Sequence, residues 1–227
     1  MAAIGVDTET SRLTKPGAPA PARRSQAERR AAMRERLLTA AIDCLVDGGY
    51  VALTTAEVET RAAVSRGARM HYYRTKAELL SAAVEHLFAV LREEFVQDIP
   101  SDLAIEMPER ERFGTVIRLL WAKFLDPRVG AVLELITRAR SDDPLRLQLQ
   151  EILTRWYRGL EQISMQYFPE NQGFAGARAV FQTLYVALSG LVLRRVVYGG
   201  DAMEHEILET IESAILAHLD EARGLRS

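Results

Sequence analysis

The stretch LLTAAIDCLVDGGYVALTTAEVETRAAVSRGARMHYYRTKAELLSAAVEHL, Leu37 to Leu87, decides the fold. Met33, just upstream, begins a series with Leu37, Ala41, Cys44 and Leu45 at three- and four-residue steps, the period of a helix with one apolar face, and Gly48-Gly49 end it. Thr55 stands just before AEVETRAA, where it can cap the free amides of a short helix of about Ala56 to Ala62, with Glu57 and Glu59 suited to its positive start. A tight turn around Ala63-Val64 leads to Ser65, a second capping residue, and then to RGARMHYY, long enough for two helical turns. Thr75 predicts the cap of a longer helix from Lys76 to about Val96, whose buried side is Leu79, Leu80, Ala83, Leu87, Val90 and Leu91.

Two short helices joined by a turn, with Val58, Ala62 and Val64 to fix their angle, form a helix-turn-helix, which presents its second helix to a major groove about 12 Å wide. The same residues resemble the DNA-binding domain of the TetR (tetracycline-repressor-like) family. The likeness runs through the GGY that ends the first helix, the Thr54-Thr55 pair, AxVSRG from Ala62 to Gly67, the aromatic close of the third helix and the TKAELL that follows. The later helices resemble the family only in number and length.

The resemblance implies a set of DNA contacts that chemistry supports residue by residue. Thr55, at a helix N-terminus, suits a phosphate oxygen. Ser65, Arg66 and Gly67 open the recognition helix, where Arg66 suits bidentate reading of guanine and Gly67 lets backbone come close to DNA. His71 and Tyr72 stand where the family places side chains on phosphates, and Tyr73 is expected in the core. Lys76 would clamp a further phosphate, and Arg69 would reach base or backbone. The run RRSQAERRAAMR offers Arg23, Arg24, Arg29 and Arg30 as a basic arm, with Arg34 and Arg36 on a solvated helix face. Three residues depart from the family pattern. Arg69 and Met70 stand where an apolar residue and a tyrosine are common, Ala63 replaces a frequent turn glycine, and Glu59 replaces a small residue.

Working outward, residues 1–24 carry Gly5, Pro16, Gly17, Pro19 and Pro21 without apolar periodicity, the composition of a flexible tail. Residues 25–75 then form the DNA-binding domain and 76–227 a ligand-sensing and dimerisation domain. Pro108, Pro127 and Pro144 mark helix starts, and helices are expected over 109–126, 128–141, 145–168, 175–198 and 203–222. No segment alternates with period two, so the fold class is all-α.

Charge divides the same way. Up to Lys76 there are 13 Lys/Arg against 8 Asp/Glu, a net +5, and from Ala77 onward 16 against 23, a net −7. The front of the molecule attracts a polyanion and the remainder does not. The single cysteine, Cys44, lies on the apolar face of its helix and reads as a packed thiol, so neither a disulfide nor a multi-cysteine metal site is expected, and no cofactor is implied. The longest mostly apolar stretch, Thr183 to Leu193, falls short of the roughly 20 residues that cross a bilayer. The opening MAAIGVDTET has no basic region followed by an apolar run, so a cytoplasmic protein without membrane partners is expected.

One short recognition helix makes few contacts, so a homodimer reading a pseudo-palindrome of operator DNA is expected. The eighth helix, ARAVFQTLYVALSGLVLRRVV, is apolar nearly all round, and with Ile207, Leu208, Ile211, Ala214, Ile215 and Leu219 of the ninth it would build a four-helix dimer bundle. A small-molecule effector pocket is expected among the fourth to eighth helices. Trp121, Phe124, Leu125, Leu133, Trp156, Tyr157 and Tyr185 would supply its surface, with Ile136 beside them, and Glu134 and Arg138 would orient a polar group. An i,i+4 ion pair explains Glu134 and Arg138 equally well. The function expected is a ligand-responsive repressor, with a ligand-independent helix-turn-helix adaptor or architectural protein as the alternative. No phosphate loop, zinc-binding HExxH or GxSxG elbow occurs, and the four histidines are scattered, which argues against an enzyme.

Overall fold

A computed structural model describes residues 25–100, 103, 107–168 and 177–224; the tail at residues 1–24, with Arg23 and Arg24, lies outside them. The helices are α1 (Gln26–Ala52), α2 (Thr55–Arg61), α3 (Arg66–Tyr72), α4 (Lys76–Asp98), α5 (Glu109–Phe124), α6 (Pro127–Arg138), α7 (Asp143–Tyr167), α8 (Ala177–Tyr198) and α9 (Ala202–Gly224), with a single 3-10 turn at Ala139–Ser141. No strand occurs among the described residues.

Each helix of the N-terminal unit begins at a hydroxyl that accepts from an otherwise free amide. Ser25 accepts from the Glu28 N–H at 3.1 Å while the Glu28 carboxylate accepts from the Ser25 N–H at 2.7 Å, a reciprocal capping box. Because α1 starts at Gln26, Arg29 and Arg30 are exposed residues of its opening turns and not part of an extended arm. Thr54, not Thr55, caps α2: its hydroxyl accepts from Glu57 N–H at 3.1 Å, which leaves Thr55 as the first helical residue. Ser65 and Thr75 cap α3 and α4 as expected, accepting from Ala68 N–H at 3.2 Å and Glu78 N–H at 3.0 Å.

The apolar period of α1 then has somewhere to go. Leu37, Ala41, Cys44 and Leu45 pack with Leu53, Val58, Leu79, Leu80 and Tyr73 into one core that holds α1, α2 and α4 together. Burial pushes the Cys44 thiol above its ordinary range, as befits a packed and unreactive group. Gly48 and Gly49 leave helical geometry, Gly49 at φ 66°, and the chain turns there toward α6. Behind this unit, α4 packs on α5 and α7, α6 on α1, and α8 lies against α5, α7 and α9. α4 therefore packs on both halves, against α1 in front and α5 and α7 behind.

α8 keeps its expected span to within two residues, but its apolar run is longer than the stretch Thr183 to Leu193. Over Arg178–Tyr198 it is long and apolar enough to cross a membrane by length and composition, with 22% of that window buried. Its turned-out side carries Val186, Leu193, Val196, Val197 and Tyr198, continued by Met203 of α9, with Val196 80% exposed. At its end Arg194 pairs with Asp201 at 2.8 Å and Arg195 with Glu204 at 2.8 Å, fixing α8 to the start of α9.

Candidate nucleic-acid interface and interior cleft

α2 and α3 are held at their angle by more than the apolar contacts of Val58, Ala62 and Val64. Arg69 is 4% exposed, and its Nε donates to Glu59 Oε1 at 2.9 Å across the turn. Its Nη1 donates to the carbonyls of Tyr73 at 2.8 Å and Arg74 at 3.0 Å, closing the free C-terminal end of α3. Arg69 is thus buried with its Nε and Nη1 donors committed inside the motif, contrary to the expectation that it would reach base or backbone. The reason is geometric, because on a seven-residue helix it falls on the side facing α2. Glu59 and Arg69 are each unusual for the family pattern taken singly, and together they form one ion pair.

The turn itself is pinned from α1. Arg36 lies on the exposed helix face expected of it and also donates from Nη2 to the carbonyls of Ala62 and Ala63. Ala63 takes φ 50°, the left-handed conformation that the frequent glycine adopts freely and that costs a Cβ-bearing residue roughly 1–2 kcal/mol. Arg61 pairs with Glu57 at 2.8 Å and with Asp47 of α1, tying α2 down at its other end.

With those side chains committed inward, the outward side of α3 is well defined. Ser65, Arg66, Gly67, Met70 and His71 are exposed, and Tyr72 is half-buried with its ring edge-on to His71 at 5.3 Å. Tyr73 is buried, as expected of a core residue. Met70 was not singled out as a contact, yet its place four residues after Arg66 and three after Gly67 puts it on that same face. Thr55 sits half-buried at the start of α2 with its amide at the helix N-terminus.

Lys76 is brought near this surface but points elsewhere. Its Nζ donates to Tyr50 O at 3.0 Å and stands over the Tyr50 ring, 3.8 Å from the centroid. Burial lowers its pKa, with Arg138 adding to that effect and Asp142 opposing it. The same tyrosine meets α6, for its N–H donates to Glu134 Oε1 at 3.2 Å. The Glu134 carboxylate lies so close to Gly49 that a Cβ there would be 2.2 Å from Oε1. Glu134 and Arg138 therefore belong to the junction between α6 and the GGY turn, not to an interior pocket. They share an exposed face of α6, one turn apart, that points toward α1.

The interior does hold a cleft, placed between α4, α5, α7 and α8. One narrow cavity is lined by Phe88, Leu91, Phe95, Leu120, Phe124, Trp156, Leu184, Tyr185 and Leu188, with Arg92 and Lys123 among its lining. A second shares Phe95, Leu120, Leu160, Phe181 and Leu184 with it and extends to Phe113 and Phe168. Of the residues expected to line a pocket, Phe124, Trp156 and Tyr185 do so. Tyr157 stands behind them, edge-on to Tyr185 at 5.0 Å. Burial pushes the Tyr185 hydroxyl well above its ordinary pKa, with Tyr157 adding to the effect and the Trp156 indole N–H opposing it. Trp121 is turned away, its Nε1 donating to the buried Glu204 at 3.2 Å. Leu125 is 40% exposed, and Leu133 is buried outside either cavity. The wall residues that sequence reasoning missed come from the second half of α4 and the inner side of α8. Phe88 stacks on Trp156 at 4.5 Å, and their separation in sequence left no signal of it.

The geometry is that of a helix-turn-helix set in front of a helical bundle with an apolar interior. A family model described as "Bacterial regulatory proteins, tetR family" matches residues 37–83. The HTH-type transcriptional regulator CymR of Pseudomonas putida is 35% identical over 135 residues, 60% of this chain and 64% of that protein. BetI of Rhizobium meliloti, also an HTH-type transcriptional regulator, is 29% identical over 115 residues, 50% of this chain and 55% of that one. The chain thus matches less than two thirds of the length of these relatives. Two solved structures share the fold across most of the chain. A transcriptional regulator from Rhodococcus sp. Rha1 superposes with a TM-score of 0.59 at 21% identity, covering 82% of this chain and 96% of its own. Reduced NemR of E. coli does so with a TM-score of 0.60 at 18% identity, covering 81% and 95%. Residues 37–83 thus match the tetR family of bacterial regulatory proteins, and the helices behind them share the fold of the solved regulators.

Proposed function

We propose that the protein is a homodimeric, sequence-specific DNA-binding repressor of transcription, released from its operator by a small-molecule effector and working in the cytoplasm. The observation that carries the proposal is the exposed face of α3. Its Arg66 and His71, the capping Ser65 and the bare backbone at Gly67 meet solvent together, while Arg69 and Tyr73 are turned inward. Arg66 suits a guanine edge, and Thr55, His71 and Tyr72 suit the flanking phosphates. Lys76 joins them on swinging off Tyr50, since its exchange of one carbonyl for a phosphate keeps its charge partnered.

Dimerisation follows from the exposed apolar strip on α8. A second copy covers Val186, Leu193, Val196 and Val197 and removes them from water, at about 25 cal/mol for each Å² buried. Two recognition helices then stand one turn of DNA apart, about 34 Å.

Release requires that the effector bind one spacing of those helices better than another. The contacts for such coupling are Val129 and Phe124 at the cleft, α6 behind them, Glu134 on Tyr50 N–H, and Tyr50 O on Lys76. A ligand that pushes on α6 pulls on the turn that parks Lys76. Residues 25–75 serve as the reading head in this scheme and 76–227 as sensor and dimer interface.

Selection of bound sequences from random duplex DNA tests the proposal. It should enrich two inverted half-sites about one helical turn apart; absence of any enriched sequence would overturn it.

A further inference from the structure

The cleft is selective in its charges as well as apolar. The charged side chains lining its two cavities are Arg92 and Lys123, and no carboxylate lines either one. Lys123 is already neutralised by Asp98 at 2.7 Å. Arg92 has neither an ion-pair nor a hydrogen-bond partner among the described residues.

Arg92 also stands at a threshold. It lines the first cavity and, with Glu85, Arg155, Trp156 and Gly159, an outward groove between α4 and α7. Glu85 there is taken up by Arg155 and leaves Arg92 alone. Across the groove, Gly159 leaves space beside the guanidinium, since even an added Cβ would lie 3.7 Å from Nη1. A second donor faces the same place. The Trp156 indole N–H is buried and lies near the Tyr185 hydroxyl, but it finds no acceptor at hydrogen-bonding geometry. An exposed cation without an ion-pair partner and a buried indole N–H without an acceptor thus border an apolar cleft.

We infer that the effector is an amphipathic anion, a small molecule with one carboxylate on an aromatic or aliphatic body. The carboxylate sits on the Arg92 guanidinium within reach of Trp156 Nε1, and the body lies among Phe88, Phe124, Leu184 and Tyr185. This rests on the effector reading above and adds its chemistry. A cation would meet the unpaired charge of Arg92 and no carboxylate among the lining residues. A neutral molecule of the same shape would fill the cleft and leave Arg92 as it is. The anion accepts from both donors and also pairs the guanidinium charge, and a charge-assisted hydrogen bond of this kind is worth about ten- to a hundredfold in affinity.

The test is calorimetric titration of the full chain with 4-phenylbutyrate, 4-phenylbutanamide and 4-phenylbutylamine, three probes that share a body and differ in charge. The acid should bind at least tenfold more tightly than the amide, and the amine more weakly than either. In Arg92→Gln the gap between acid and amide should shrink to less than about threefold. An amide or amine that equals the acid overturns the anion assignment while leaving an effector site in place, as does an acid preference that survives Arg92→Gln. Failure of all three to bind at millimolar concentration also overturns the assignment. Arg92-dependent binding of the acid that leaves affinity for the selected duplex unchanged would instead bear out the site and count against the effector reading.

Discussion

Removing Glu59 is the most informative single perturbation of the reading head. Its carboxylate is the acidic partner of Arg69, with side-chain exposures of 17% and 5%. Loss of one member of a buried ion pair costs about 3–5 kcal/mol because a charge is left without its counterpart. Here Arg69 keeps the carbonyls of Tyr73 and Arg74, and Glu59 is not wholly buried, so Glu59→Ala should cost about 2–3 kcal/mol. Replacing both ends, Glu59→Ala with Arg69→Leu, removes the stranded charge and restores the apolar residue usual at that site. The double variant should therefore lie within about 1 kcal/mol of the parent. Trp121 and Trp156 both lie in the rear bundle, so indole fluorescence would miss the event. Urea unfolding should be followed by hydrogen exchange at the α3 amides. A cost below about 0.5 kcal/mol for Glu59→Ala, or a double variant as unstable as the sum of the single ones, would refute the reasoning.

Ala63→Gly should raise thermal stability by roughly 0.5–1 kcal/mol, since relief of the left-handed backbone at φ 50° outweighs the added freedom of the unfolded chain; a loss in a melting experiment contradicts the turn geometry. At Asp126 burial alone would raise the carboxyl, but hydrogen bonds from the Arg128 side chain, the shortest 2.6 Å, and from its backbone N–H at 2.8 Å outweigh it and hold the pKa below the ordinary 3.8. Its contribution is complete above the unfolded value and fades as pH falls through the folded one, so Asp126→Asn should flatten the loss of stability below about pH 4. An unchanged acid limb in denaturant titrations would remove Asp126 from that account. Val196→Glu, at the most exposed point of the α8 strip, should convert the dimer to monomer in sedimentation and weaken operator binding by well over tenfold; a dimer that persists rules out this face.

The reading head was more legible in the sequence than the cleft was. The steps from Met33 to Leu45, the Gly48-Gly49 stop and the capping hydroxyls are local signals, and local signals fix where helices begin and end. What escaped was pairing across space. Glu59 and Arg69 stood out only as two separate departures, because nothing in their spacing reveals that the turn brings their side chains to 2.9 Å. Trp121 and Trp156 are alike in composition, and only the rotation of α5 and α7 sends one to Glu204 and the other into the cleft. Glu134 and Arg138 are i,i+4 neighbours on α6, which fitted a ligand site or an ion pair equally well, and the contact of α6 with the GGY turn drew Glu134 to Tyr50. The span and the apolar breadth of α8 are both legible in the sequence, but Arg178, Arg194 and Arg195 make its apolar run look shorter than the helix that continues through them.

The measurement that bears most directly on the central claim is titration of the selected duplex with the parent protein and with Arg66→Ala, at two salt concentrations and against a scrambled duplex. The account predicts that Arg66→Ala loses about 1–3 kcal/mol on the selected sequence and little on the scrambled one, with the salt dependence nearly intact. Equal affinity of parent and variant for both duplexes would contradict it.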